Sequence, residues 1–119
     1  MCKSVNRAAL VIVAKKPFRD WANYIIHETP VPHFYPDPYE DKGTAVYLIP
    51  DNLYEDAFTN FVMQHYTIIF EEQLAFWLPE EEHWPQNRSW DVFCDWFDII
   101  HVKGLLDFSE LEIKREALY

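Results

Sequence analysis

Seven consecutive residues, Ala8-Ala-Leu-Val-Ile-Val-Ala14, are all apolar and three of them are β-branched. A run this short and this uniformly apolar suits a strand covered on both faces, and the cationic pair Lys15 and Lys16 closes it. The chain therefore has to build a sheet around this strand. Pro17 follows at a place where a helix tolerates proline, in its first turn, and Phe18, Trp21, Ala22, Ile25 and Ile26 then recur at helical spacing. That stripe predicts a helix ending near His27 or Glu28.

Residues 29 to 43 hold Pro30, Pro32, Pro36 and Pro38 among Phe34, Tyr35 and Tyr39. Each proline removes a backbone donor and fixes φ, so neither a helix nor a central strand survives this density. The segment reads as an inserted loop, either a packed Ω-loop or a binding loop that offers Tyr35 and Tyr39. Thr44 to Ile49 reads as a second strand, stopped by Pro50. Strand, helix, strand in this order predicts a right-handed βαβ unit.

Asn52 and Glu55 have capping-box spacing, and Phe58, Phe61, Val62, His65, Ile68, Ile69 and Phe76 form a broad apolar face after them. They predict a long helix from Leu53 to Trp77, ended by Pro79. Glu80 to Arg88 is a polar connector around Trp84 and Pro85, and Ser89 is a good N-cap for a second helix striped by Val92, Phe93, Trp96 and Phe97. Asp98 to Val102 predicts a third strand, Gly104 a bulge or turn, and residues 109 to 119 a charged tail with helical potential. The expected fold is a single α+β domain over residues 1 to 119. Its order is β-α-β-α-α-β, with a small three-stranded sheet, parallel strands allowed, against the helices.

Charge divides the chain sharply. Between Asp20 and Val102 there are sixteen acidic residues and two basic ones, Lys42 and Arg88, within a total of -10 for the whole sequence. Residues 1 to 19 are +5 and residues 103 to 119 are -1, so the molecule is expected to be a charge dipole. Acidic disordered segments lack aromatics, whereas this chain has 18% of them and must fold. Its acidic side repels nucleic acid, which argues against direct nucleic-acid binding. No run approaches the length of a membrane span, and the polar N-terminus does not resemble a secretory signal. Cys2 and Cys94 belong to no metal-ligand spacing and are expected to be separate, reduced thiols. These features predict a soluble cytoplasmic protein, a monomer or weak homodimer, with no membrane contact.

The residues that could carry chemistry concentrate around the connector. Glu80, Glu81, Glu82, His83, Trp84, Arg88 and Asp91, with Glu71, Glu72, Asp95 and Asp98 nearby, set carboxylates among tryptophans. Glu80 and His83 make one Glu-x-x-His, but a di-iron site needs two such motifs and two further carboxylates on a bundle. No metal or other cofactor is therefore expected. His65 on the long helix is a core histidine or, alternatively, a general base. Carboxylates beside Cys94 disfavour its thiolate. Arg88, the only cation among eleven acids between Gly43 and Val102, is expected to fork onto a carboxylate and brace the connector.

Several motifs extend over most of residues 5 to 107. They are Val5-Asn6-Arg7-Ala8-Ala9, Lys16-Pro17-Phe18 with Asp20-Trp21, and Val46-Tyr47-Leu48-Ile49-Pro50. Ile69-Phe70-Glu71, Leu74, Trp77, Trp84-Pro85-Gln86-Asn87-Arg88 and the spacing of Phe93, Trp96 and Phe97 complete the set. Together they resemble a widespread family of small acidic bacterial proteins, for which the resemblance implies a bacterial, cytoplasmic, single-domain protein and no particular reaction. Amphipathic aromatics rimmed by acids suit recognition of a basic, apolar-backed partner. The leading expectation is thus a non-catalytic binding or regulatory protein that presents Glu80, Glu81, Glu82, His83, Trp84, Arg88 and Asp91, with Tyr35 and Tyr39, to a basic protein. A nucleic-acid mimic is one alternative, and a small enzyme or metal protein using His65, His83 and glutamates is another.

Overall fold

A computed structural model describes residues 1 to 28 and 45 to 118. The run at Ala8–Ala14 forms the central strand of a three-stranded antiparallel sheet and is flanked by a strand at Ala45–Ile49 and another at Phe97–Val102. In chain order the elements are β1 (Lys3–Ser4), β2 (Ala8–Ala14), α1 (Lys16–Glu28), β3 (Ala45–Ile49), α2 (Asp56–Trp77), α3 (Trp90–Trp96), β4 (Phe97–Val102) and β5 (Leu106–Asp107). A single 3-10 turn, Glu81–His83, lies between α2 and α3. The domain is α+β, as the alternation of periodicities predicts. The Pro-rich segment, with Tyr35 and Tyr39, lies outside the described residues.

The expected right-handed βαβ unit is not formed. β3 runs antiparallel to β2, with Ala45 opposite Ile12 and Ile49 opposite Ala8. The sixteen residues between Glu28 and Ala45 are enough chain to reach either end of the sheet, so element order alone does not set strand direction. β4 pairs with the other edge of β2, also antiparallel, from Ala14 opposite Phe97 to Ala9 opposite Val102. β1 and β5 form a separate two-residue ribbon that the sequence patterning does not announce.

One face of the sheet carries the core. Ala8, Leu10, Ile12 and Ala14 point into it and are almost wholly buried, beside Ile49 of β3 and Phe97 of β4. On the opposite face Ala9 is almost wholly buried while Val11 and Val13 are half-buried, so the expected cover on both sides is met at the start of the run and only partly beyond it. All three helices pack on the core face. Phe18 of α1, Phe70 of α2, Phe93 of α3 and Phe97 of β4 meet there, with ring centroids 4.9 Å apart for Phe18 and Phe97 and 5.2 Å for Phe93 and Phe97. Each such aromatic pair adds about 0.5–1.5 kcal/mol beyond its area burial. The cluster therefore ties every helix to the sheet.

Local signals at the helix ends are met unevenly. Pro17 lies in the first turn of α1, and Ser89 caps α3 by accepting a hydrogen bond from the Val92 N–H at 3.3 Å. α2 begins at Asp56 rather than Leu53, and no side chain caps it. Glu55 precedes it with φ of 53°, a left-handed conformation that a non-glycine residue adopts at a cost, so the Asn52–Glu55 capping box is not built. The buried stripe of α2 is Val62, Ile69, Phe70, Leu74 and Trp77, whereas Ile68 and Phe76, expected on the apolar face, are more than half exposed. The stripe drifts because every second or third position in this helix is apolar and the packing partner selects among overlapping faces. Beyond β5, residues 108 to 118 form no helix, contrary to the expected continuation. Gly104 lies in the short link between β4 and β5, with open space where a Cβ would stand.

Candidate functional site

α2 stops because Pro79 cannot continue it, and the Leu78 N–H closes the last turn onto the Leu74 carbonyl at 3.0 Å. From there the connector folds on itself. The His83 and Trp84 N–H groups donate to the carbonyls of Glu80 and Glu81 at 3.1 and 3.0 Å, which makes the 3-10 turn. The Trp84 indole N–H donates to the Leu78 carbonyl at 2.8 Å, and its ring packs against the edge of the core. Trp84 is thus an anchor of the connector. A loop position predicts an exposed contact residue, but the Trp84 ring finds cover against the end of α2.

Arg88 completes the brace. Its guanidinium donates to the Pro85 carbonyl at 2.7 Å and to the Glu81 carboxylate at 3.3 Å, and lies 5.6 Å from the Trp84 ring centroid. Three contacts from one planar fork pin the connector in a single shape. The Arg88–Glu81 ion pair itself is worth no more than about 1 kcal/mol, because the Glu81 side chain stands in water. A second tie comes from α1, whose Trp21 indole N–H donates to the His83 carbonyl at 3.3 Å. Asn87 accepts from the Ser89 N–H at 3.2 Å and leads the chain into α3.

The carboxylates sit on the outside of this frame. Glu80, Glu81 and Glu82 are exposed, as is Asp91 in the first turn of α3, where the helix dipole favours a negative charge. His83 lies 3.5 Å from the Glu82 carboxylate. Asp91 and Asp95 are one helical turn apart and act together on Cys94. Burial pushes the Cys94 thiol up, and the two aspartates add to the shift against a smaller opposing effect of Lys15. A thiol held in its neutral form is a poor nucleophile.

His65 serves a different place. Its ring lines a groove of about 150 Å³ between α2 and β3, with Tyr47, Phe61, Ile68 and Glu72. Its Nδ1–H donates to the Phe61 carbonyl at 2.7 Å, and the imidazole stacks on the Phe61 ring. His83 instead touches α1 and the connector, so the structure does not assemble His65 and His83 into one site. Among the described residues, no three His, Cys, Asp or Glu side chains converge as a metal would need. No described helix is long and apolar enough to cross a membrane.

The connector residues expected from the sequence, Glu80, Glu81, Glu82, His83, Trp84, Arg88 and Asp91, are therefore one contiguous element, with Trp84 and Arg88 turned to support and the carboxylates outward. Arg7 and Arg115, which the sequence patterning does not single out, line a common groove near the chain ends. They are 108 positions apart, and only the tertiary fold brings them together. No family model, curated protein or solved structure matches this chain.

Proposed function

We propose that this protein is a non-catalytic binding or regulatory protein whose connector, with the start of α3, presents carboxylates to a basic partner. The observation that supports this reading is the division of labour within residues 80 to 91. Trp84, Arg88 and the Trp21 bond hold the backbone from within, and Glu80, Glu82 and Asp91 project from it. A carboxylate cluster held on a rigid frame loses little entropy when a cationic surface meets it, which favours recognition over simple solvation. The indole edge of Trp84 and the half-buried Trp21 supply apolar surface beside the acids, as an interface core requires.

The test replaces the outward acids and spares the brace. Glu80→Gln, Glu82→Gln and Asp91→Asn together are expected to leave the circular dichroism spectrum unchanged. Capture of a basic protein from native lysate should fall at least tenfold, and it should also fall between low and high salt. Retention of the same captured protein by the triple variant would place the partner surface elsewhere.

A further inference from the structure

The sheet has two chemically different ends. At the Ala14–Phe97 end stands α3 with the acidic connector, and at the Ala9–Val102 end the chain termini gather around β1 and β5. These ends are about 17 Å apart along β4, roughly two Debye lengths at physiological salt. The charges at one end are therefore largely screened from the other.

At the termini, Val5, Leu48 and Ile113 form the apolar floor of a groove of about 240 Å³ that Arg7 and Arg115 share. A neighbouring groove of about 300 Å³ uses the same three residues and continues over Leu106 and Leu111, but Asp107 and Glu112 also line it, so a carboxylate is favoured only in the groove of Arg7 and Arg115. Leu48, Leu106, Leu111 and Ile113 each leave more than half of their surface in water. Among the described residues, Arg7 donates to the neighbouring Asn6 carbonyl alone, at 2.8 Å. Among the described residues, neither Arg7 nor Arg115 has a carboxylate within ion-pair distance, although acids outnumber bases by twenty to ten in the chain. Two guanidinium forks beside exposed aliphatic side chains complement one chemistry, a carboxylate next to an aliphatic group.

We propose that this groove docks an extended acidic-aliphatic peptide segment of a partner protein. An aliphatic side chain of that segment rests on Val5, Leu48 and Ile113, and its neighbouring carboxylate is forked by Arg7 and Arg115. The groove is separate from the carboxylate surface of the connector and selects the opposite sign of charge.

The probe is a fluorescein-labelled pentapeptide, Leu-Glu-Leu-Glu-Leu, titrated against the full chain by fluorescence anisotropy at physiological salt, beside its glutamine counterpart. Saturable binding of the glutamate peptide is expected, weakened about tenfold in the glutamine peptide and by Arg115→Gln, and further by Arg7→Gln. Arg115 lies in a segment without helix or strand, so its replacement leaves the fold intact. Leu48→Asp, which sets a like charge on the groove floor, should abolish binding while the thermal midpoint stays near that of the parent. Equal binding of the two peptides, no effect of Arg115→Gln, or no saturation at millimolar peptide overturns the proposal. So does self-association in sedimentation that Arg115→Gln disperses, because the groove is then filled by a second copy.

Discussion

The two faces of the β2–β3–β4 sheet are built from alternate residues of the same strands, yet they have different physical roles. On one face Ala8, Leu10, Ile12, Ile49 and Phe97 are sealed beneath three helices. On the other, Val46, Leu48 and Ile100 are 60%, 52% and 47% exposed, although Val11 lies between Val46 and Ile100 and Ala9 beside Leu48 in the ladder. Both faces are apolar, so hydrophobicity does not distinguish them. What distinguishes them is the layer of α1, α2 and α3, which the aromatic cluster holds to one side. A two-layer domain leaves a sheet face in water, and nature usually makes that face polar. Here it sets Val46, Leu48 and Ile100 in water instead.

The same truncation on the two faces measures the difference. Leu10→Ala, at a position 1% exposed, should cost about 2–5 kcal/mol in urea unfolding, since the cavity cannot collapse under three helices. Ser89→Ala tests the helical layer itself. Loss of the hydroxyl that caps α3 should cost about 1 kcal/mol, with a matching fall in the denaturation midpoint and no change in its slope. Leu48→Ala should cost less than about 1 kcal/mol, because half of the side chain is in water before the change. A cost for Leu48→Ala equal to that of Leu10→Ala would mean that the outer face is covered in solution and the contrast is wrong.

Titration sharpens the contrast further. His101 of β4 lies on the core face and stacks on Phe58 with ring centroids 4.1 Å apart. Burial lowers its affinity for a proton, with a smaller contribution from Lys103. The unfolded chain therefore binds this proton more readily than the folded one. The stability that neutral His101 contributes is present above the unfolded imidazole range, about pH 6.5, and is lost as pH falls through the lower folded value. His101→Gln should flatten that part of the stability profile between pH 7 and pH 5, as read by urea midpoints. A profile unchanged by the substitution would assign the acid sensitivity to other groups. The smallest effect is expected at Cys94. Its raised pKa predicts slow alkylation by iodoacetamide at neutral pH, and Asp95→Asn should speed it modestly by removing one of the carboxylates that oppose the thiolate.

Much of the architecture follows from periodicity alone. The β-branched run became the central strand, Pro17 and the stripe from Phe18 to Ile26 became α1, and Ser89 capped α3, because each of these is set within a few residues by sterics and local hydrogen bonds. The site was legible to the same extent. The connector could be found as a break after Pro79 followed by acids, and Arg88 as the lone cation with a reason to turn inward. Where the local code is ambiguous, the fold departs from the pattern. α2 offers more than one apolar face, so its spacing points Ile68 and Phe76 inward although Leu74 and Trp77 are the residues that seal the core. Asn52 and Glu55 have the spacing of a capping box, but the chain enters α2 through a left-handed Glu55 instead.

By itself, then, the sequence determined the α+β class, the central strand, the positions of the helices and the acidic character of the connector, all of which depend on neighbours a few residues away. The tertiary structure alone decided the antiparallel direction of β3, which face of the sheet the helices cover, the inward role of Trp84, and the meeting of Arg7 with Arg115. Each of these depends on contacts between residues far apart in the chain, where loop closure and competition among faces, rather than local propensity, select the outcome.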